Sequence, residues 1–67
     1  MAIIADVDET DWAARGLAFV RDNGNYRFIL HGRSDVCDVP VKDGKIAMIT
    51  ERSSAHRALA AALGYEV

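Results

Sequence analysis

The stretch LAFVRDNGNYRFIL, residues 17–30, decides how this chain folds. Asn23-Gly24 lies at its centre, between two segments in which apolar and polar side chains alternate. A tight hairpin turn of two residues needs positive φ at both, which Asn-Gly accepts most readily. The phase of the alternation can be checked against such a turn. It sets Leu17 opposite Leu30, Phe19 opposite Phe28 and Arg21 opposite Tyr26 on one face, with Ala18/Ile29, Val20/Arg27 and Asp22/Asn25 on the other. A slip of one residue would exchange the faces of a whole strand, so agreement between the two segments favours this register. The competing reading winds residues 11–22 into one helix, favoured by Ala13, Ala14 and Ala18 and stopped by Gly24.

Downstream, Asp43-Gly44 repeats the signal between residues 36–42 and 45–50. It predicts Val41 facing Ile46, Val39 facing Met48 and Cys37 facing Thr50, with Pro40 on the opposite face beside Ala47. Proline has no ladder donor, which predicts that this strand is an edge or has a free side, open to pairing with a second copy. The C-terminal segment reads as a helix over about residues 53–63. Ser53 or Ser54 caps it, Ala55, Ala58, Leu59, Ala62 and Leu63 follow helical spacing, and Gly64 takes the left-handed position that ends it. Its alanine-rich face is expected to cover Phe19, Phe28, Leu30, Val39 and Met48, with Tyr65 folded back on the last turn. The predicted fold is thus a single compact α+β domain over residues 1–67. It is a small antiparallel meander of two hairpins, with the C-terminal helix on one face and a short N-terminal helix near Trp12.

At 67 residues the core is small. About half the side chains are apolar and about a quarter charged, an ordinary globular balance. A single cysteine, Cys37, cannot form an internal disulfide, which together with the absence of a signal-like or membrane-length apolar run predicts a soluble cytoplasmic protein. The formal charge is -2, but it is unevenly spread. Asp6, Asp8, Glu9 and Asp11 cluster near the start, while residues 12–67 carry eight bases against six acids.

The residues Ile3-Ile4-Ala5-Asp6-Val7-Asp8-Glu9-Thr10 resemble the first motif of the haloacid dehalogenase phosphatases, in which an apolar strand delivers Asp-x-Asp-x-Thr to a magnesium site. The resemblance implies Asp6 as nucleophile, Asp8 as acid/base and Thr10 as phosphate contact. It spans eight residues, and Asp11 stands where that family has an apolar side chain. The family builds its site from several strand ends of a parallel sheet, and each parallel crossover takes a dozen or more residues. Two tight hairpins leave no chain for that. The expectation is therefore a strand from Ala2 to Val7 running into a short helix capped by Asp8 or Thr10, its acids lying favourably near the positive helix end.

No catalytic residue, metal site or cofactor is expected. His31, His56 and Cys37 lack metal-ligand spacing, and both histidines read as surface or boundary residues. Cys37 alternates in phase with Val39 and Val41 and reads as a small buried hydrophobe.

A small acidic chain without an assembled active site is similar to the stoichiometric inhibitors of phages and mobile elements, anti-CRISPR proteins among them. The expected function is thus non-catalytic protein binding by occlusion. Asp6, Asp8, Glu9 and Asp11 would engage a basic, nucleic-acid-binding groove on a protein target; Trp12 is a candidate anchor, with packing in the core as the favoured alternative for it. The alternative is a nucleic-acid-binding domain that uses Arg21, Arg27 and Arg33 along the first hairpin. Self-association through an edge strand is a third possibility, and no membrane partner is expected.

Overall fold

A computed structural model describes residues 2–67. The elements run β1 (Ala2–Asp6), α1 (Glu9–Ala14), β2 (Ala18–Asp22), β3 (Asn25–Ile29), β4 (Val36–Lys42), β5 (Lys45–Ile49) and α2 (Ser54–Ala62). All five strands pair antiparallel in one sheet of order β1-β5-β4-β3-β2.

The stretch that opened the reading is a hairpin. Asn23 and Gly24 both take positive φ, and the pairs Ala18–Ile29, Phe19–Phe28, Val20–Arg27, Arg21–Tyr26 and Asp22–Asn25 follow the predicted register. The long helix over residues 11–22 does not form, for a reason visible in the backbone. Gly16 turns left-handed after Arg15, and Gly16 N–H and Leu17 N–H donate to the carbonyls of Ala13 and Trp12. This pair of reversed hydrogen bonds closes a helix end. α2 ends the same way at Gly64, where Gly64 N–H and Tyr65 N–H donate to Ala61 and Ala60. At their other ends, Asp8 caps α1 and Ser53 caps α2.

Two expectations need correction. The strand bearing Pro40 is not an edge, because β4 lies between β5 and β3; the edges are β1 and β2. A proline is tolerated there because its missing N–H falls on the β5 side, where the ladder does not extend to residue 40. Val36–Pro40 pair with β3, whereas only Val41 and Lys42 pair with β5. Nor does α2 cover the whole apolar face. It lies against β4 and β5, while Trp12 of α1 covers the β2–β3 side, its ring edge-on to Phe19, Tyr26 and Phe28 at 4.9–5.3 Å between centroids.

Both helices thus bury their side chains against one face of the sheet. Ala5, Tyr26, Phe28, Leu30, Cys37, Val39, Ile46 and Met48 meet Trp12, Leu59, Ala60 and Leu63 there. Among the described residues, no helix lies on the opposite face.

Candidate functional site

The acidic corner is built by the junction of β1 and α1, and each of its carboxylates already has a partner within the chain. Asp6 ends β1 directly across from Lys45 of β5 and pairs with its ammonium. Asp8 Oδ1 accepts from Asp11 N–H at 3.0 Å, satisfying a donor at the start of the helix. Glu9 accepts a hydrogen bond from the Tyr26 hydroxyl and lies 3.7 Å from Arg21 Nε. Asp11 accepts from Arg15 Nε at 2.9 Å, one helical turn on. Trp12 is 2% exposed and belongs to the aromatic core, so it does not serve as a surface anchor. Asp6, Asp8 and Asp11 do line one hollow of about 210 Å³ beside Tyr65. Among the described residues, no group of three His, Cys, Asp or Glu side chains is arranged to hold a metal ion.

The Glu9–Tyr26 contact shapes the chemistry of the buried phenol. Burial in the core, and then the Glu9 carboxylate, disfavour a phenolate and push the Tyr26 hydroxyl above its ordinary range. Cys37 is similarly withdrawn from chemistry. Burial above all, and then the charge of Asp38, push its thiol up to about 11, and a protonated thiol is a poor nucleophile.

The arginines of the alternative reading are spread rather than gathered. Arg21 lies over the Tyr26 ring, 5.7 Å from its centre. Arg27 is on the opposite face of the sheet, held between Asp38 at 3.0 Å and Asp22 at 3.5 Å. Both carboxylates, Asp38 first, stabilise its charged form. Arg33 makes a two-pronged contact with Asp35 at 3.0 and 3.1 Å, which holds that carboxyl below its usual range. A hollow of about 590 Å³ is lined by Arg15, Leu17, Leu30, His31, Arg33 and Ala58 among others. Its two guanidiniums are the ones already committed to Asp11 and Asp35.

The remaining surface is the helix-free face of the sheet. Outward positions of a half-covered antiparallel sheet are ordinarily polar. Here Ile4, Val20, Ile29 and Val36 face outward at 46–57% exposure. The strand register groups them. Ala18, Ile29 and Val36 form one cross-strand row, and Ile4 and Ala47 part of another. Ile4, Pro40, Lys42, Lys45 and Ala47 surround a shallow, mainly apolar hollow of about 500 Å³. The charges between these groups are the mutually neutralised Arg27, Asp22 and Asp38. The sequence placed Val20 and Ile29 on the second face of the first hairpin, and no face was assigned to Ile4 or Val36; the signal was the aliphatic residues at both alternating phases of the strands.

No protein-family model, curated protein or solved structure matches this chain.

Proposed function

We propose that the chain is a non-catalytic protein-binding module that acts by occlusion, and that its contact surface is the helix-free face of the sheet. The observation that supports this reading is the set of half-exposed aliphatic side chains Ile4, Val20, Ile29 and Val36 on a face that no element among the described residues covers. Apolar patches exposed on a small protein and bordered by polar residues mark interaction sites. Stoichiometric inhibition of a protein target, of the kind small phage proteins perform, asks for such a surface and for no reaction centre.

This reading moves the contact surface away from the acidic corner. Engaging a basic groove through Asp6, Glu9 and Asp11 would first break their contacts with Lys45, Tyr26 and Arg15. The same argument weighs against nucleic acid as partner, because phosphate would have to displace Asp22 and Asp38 from Arg27 and Asp35 from Arg33.

The test is differential affinity capture from host lysate. Wild type, an Ile4→Lys/Ile29→Lys variant and an Asp6→Asn/Asp8→Asn/Glu9→Gln/Asp11→Asn variant are compared, with circular dichroism confirming each fold. A protein recovered by wild type, lost with the lysine variant and retained by the neutralised one supports the sheet face. Loss only with the neutralised variant restores the acidic corner. A gel-shift titration in which nucleic-acid affinity falls steeply with salt would replace both with the arginine reading.

A further inference from the structure

The two strands of the second hairpin separate just beyond their turn, and the gap is filled by a side chain. Extending the pairs Val41–Ile46 and Lys42–Lys45 along both strands sets Pro40 opposite Ala47, Val39 opposite Met48 and Asp38 opposite Ile49. In an antiparallel ladder alternate pairs exchange hydrogen bonds. Val41 N–H donates to Gly24 on the β3 side, so the backbone groups of residues 40 and 38 are the ones turned toward β5. Pro40 has no N–H to give there. At the next such position the bond from Ile49 N–H to Asp38 C=O is not direct. The imidazole of His56 sits between them: Ile49 N–H donates to Nδ1 at 2.9 Å, and Nε2 is 2.8 Å from the Asp38 carbonyl.

This arrangement fixes the tautomer by elimination. Nδ1 receives a proton and so carries none, and Nε2 must be the N–H that donates to Asp38. The neutral ring thereby reproduces the donor and acceptor of the missing ladder rung, one at each end. The ring is positioned from behind as well, because Ser53 Oγ accepts from His56 N–H at 3.2 Å in the α2 cap.

We propose that His56 is a proton-releasable splint that joins β4 to β5 only while its ring is neutral. A second proton arriving from solvent can bind only at Nδ1, where it faces the Ile49 N–H, donor against donor. The acceptor is lost, the rung opens at Ile49, and β4 and β5 are then joined only near the Asp43-Gly44 turn. The charged groups around the ring do not substitute for that contact. On β4 the Asp38 carboxylate is held by Arg27, and on α2 the Arg57 guanidinium donates to the Thr50 carbonyl. Glu51 and Arg52 follow in the β5–α2 turn, and β5 presents Met48 and Ile49, which do not titrate. Protonation and the splint are mutually exclusive, so the splint opens when the ring takes a second proton.

The test is amide hydrogen exchange at Ile49, expressed as protection relative to the intrinsic rate at each pH, alongside nitrogen NMR of the His56 ring. In wild type the ring is expected as the Nε2–H tautomer, and Ile49 protection falls about tenfold, the scale of one lost hydrogen bond, as the ring takes its second proton. His56→Gln offers an amide oxygen and N–H at similar spacing but does not titrate, and is expected to keep Ile49 protected across the same range. His56→Ala is expected to lose protection at every pH, and His31→Gln to behave as wild type. The proposal is overturned if the ring is the Nδ1–H tautomer, if Ile49 stays protected once His56 is doubly protonated, or if His56→Gln follows the wild-type pH profile. The glutamine comparison decides the matter even where the alanine variant does not fold.

Discussion

The two hairpins begin alike and end differently. Each turns on a positive-φ residue followed by glycine, Asn23-Gly24 in one and Asp43-Gly44 in the other. The first keeps its ladder for all five residues of both strands, while the second has pairs at only Val41–Ile46 and Lys42–Lys45. Farther from the turn than Val41, β4 is paired only with β3 and the rest of β5 only with β1. The physical cause lies in the facing residues. Phe19 and Phe28 oppose one another directly under Trp12, and Tyr26 lies two residues along on the same face, so the inward rungs of the first hairpin add buried aromatic contact. In the second, Pro40 withholds a donor on the β5 side, and the histidine of α2 occupies the next rung. A turn sets where two strands start to pair; what the side chains and backbone donors offer sets how far they continue.

The largest expected effect tests the first hairpin. Phe28 is fully buried, and Phe28→Ala is expected to cost about 3–5 kcal/mol in urea unfolding, the range for removing a core aromatic. A cost under about 1 kcal/mol would mean that the aromatic cluster is not what extends that ladder.

Tyr26→Phe sharpens the same half of the molecule. It removes the donor to Glu9, and the expected cost is about 1.5–3 kcal/mol, as for a hydrogen bond to a charged group. It also has a pH signature. The folded phenol titrates above its unfolded value, so its contribution is complete below the unfolded value and is lost as pH rises through the folded one. Wild type should therefore lose stability in alkali more steeply than Tyr26→Phe, followed by the phenolate absorbance and by denaturant midpoints at matched pH. Parallel alkaline profiles would remove Tyr26 as the cause.

The smallest effect is expected at Pro40. Pro40→Ala restores an N–H facing Ala47, and overall stability should change by less than about 1 kcal/mol, since one hydrogen bond is gained against a more flexible unfolded chain. The informative reading is local: the new amide of residue 40 should be protected from exchange. If it exchanges as freely as a loop amide, the separation of β4 from β5 is imposed by the helix above and not by the proline.

Much of this was legible in the residues. Alternation around Asn23-Gly24 carried the register of β2 and β3, and Ser53, the apolar spacing and Gly64 carried α2, because local hydrogen bonding and side-chain periodicity suffice for both. The acidic corner was legible as a cluster but not as a set of occupied carboxylates. Lys45 and Tyr26 reach it from distant parts of the chain, and no local pattern announces such partners. Trp12 was weighed as a surface anchor and lies in the core, since its burial depends on Phe19, Tyr26 and Phe28 arriving beneath it. Gly16 did carry a readable stop signal for α1, which the helix-favouring alanines around it obscured.

Sequence alone determined where the backbone reverses and which residues of β2 and β3 share a face, because positive φ and a two-residue repeat are properties of neighbours along the chain. Tertiary structure decided which strand lies beside which, and so placed Pro40 in the middle of the sheet and His56 between β5, which precedes its helix, and the more distant β4. Those outcomes depend on competition for backbone donors and acceptors among segments far apart, and that competition is settled only when all five strands and both helices are in place.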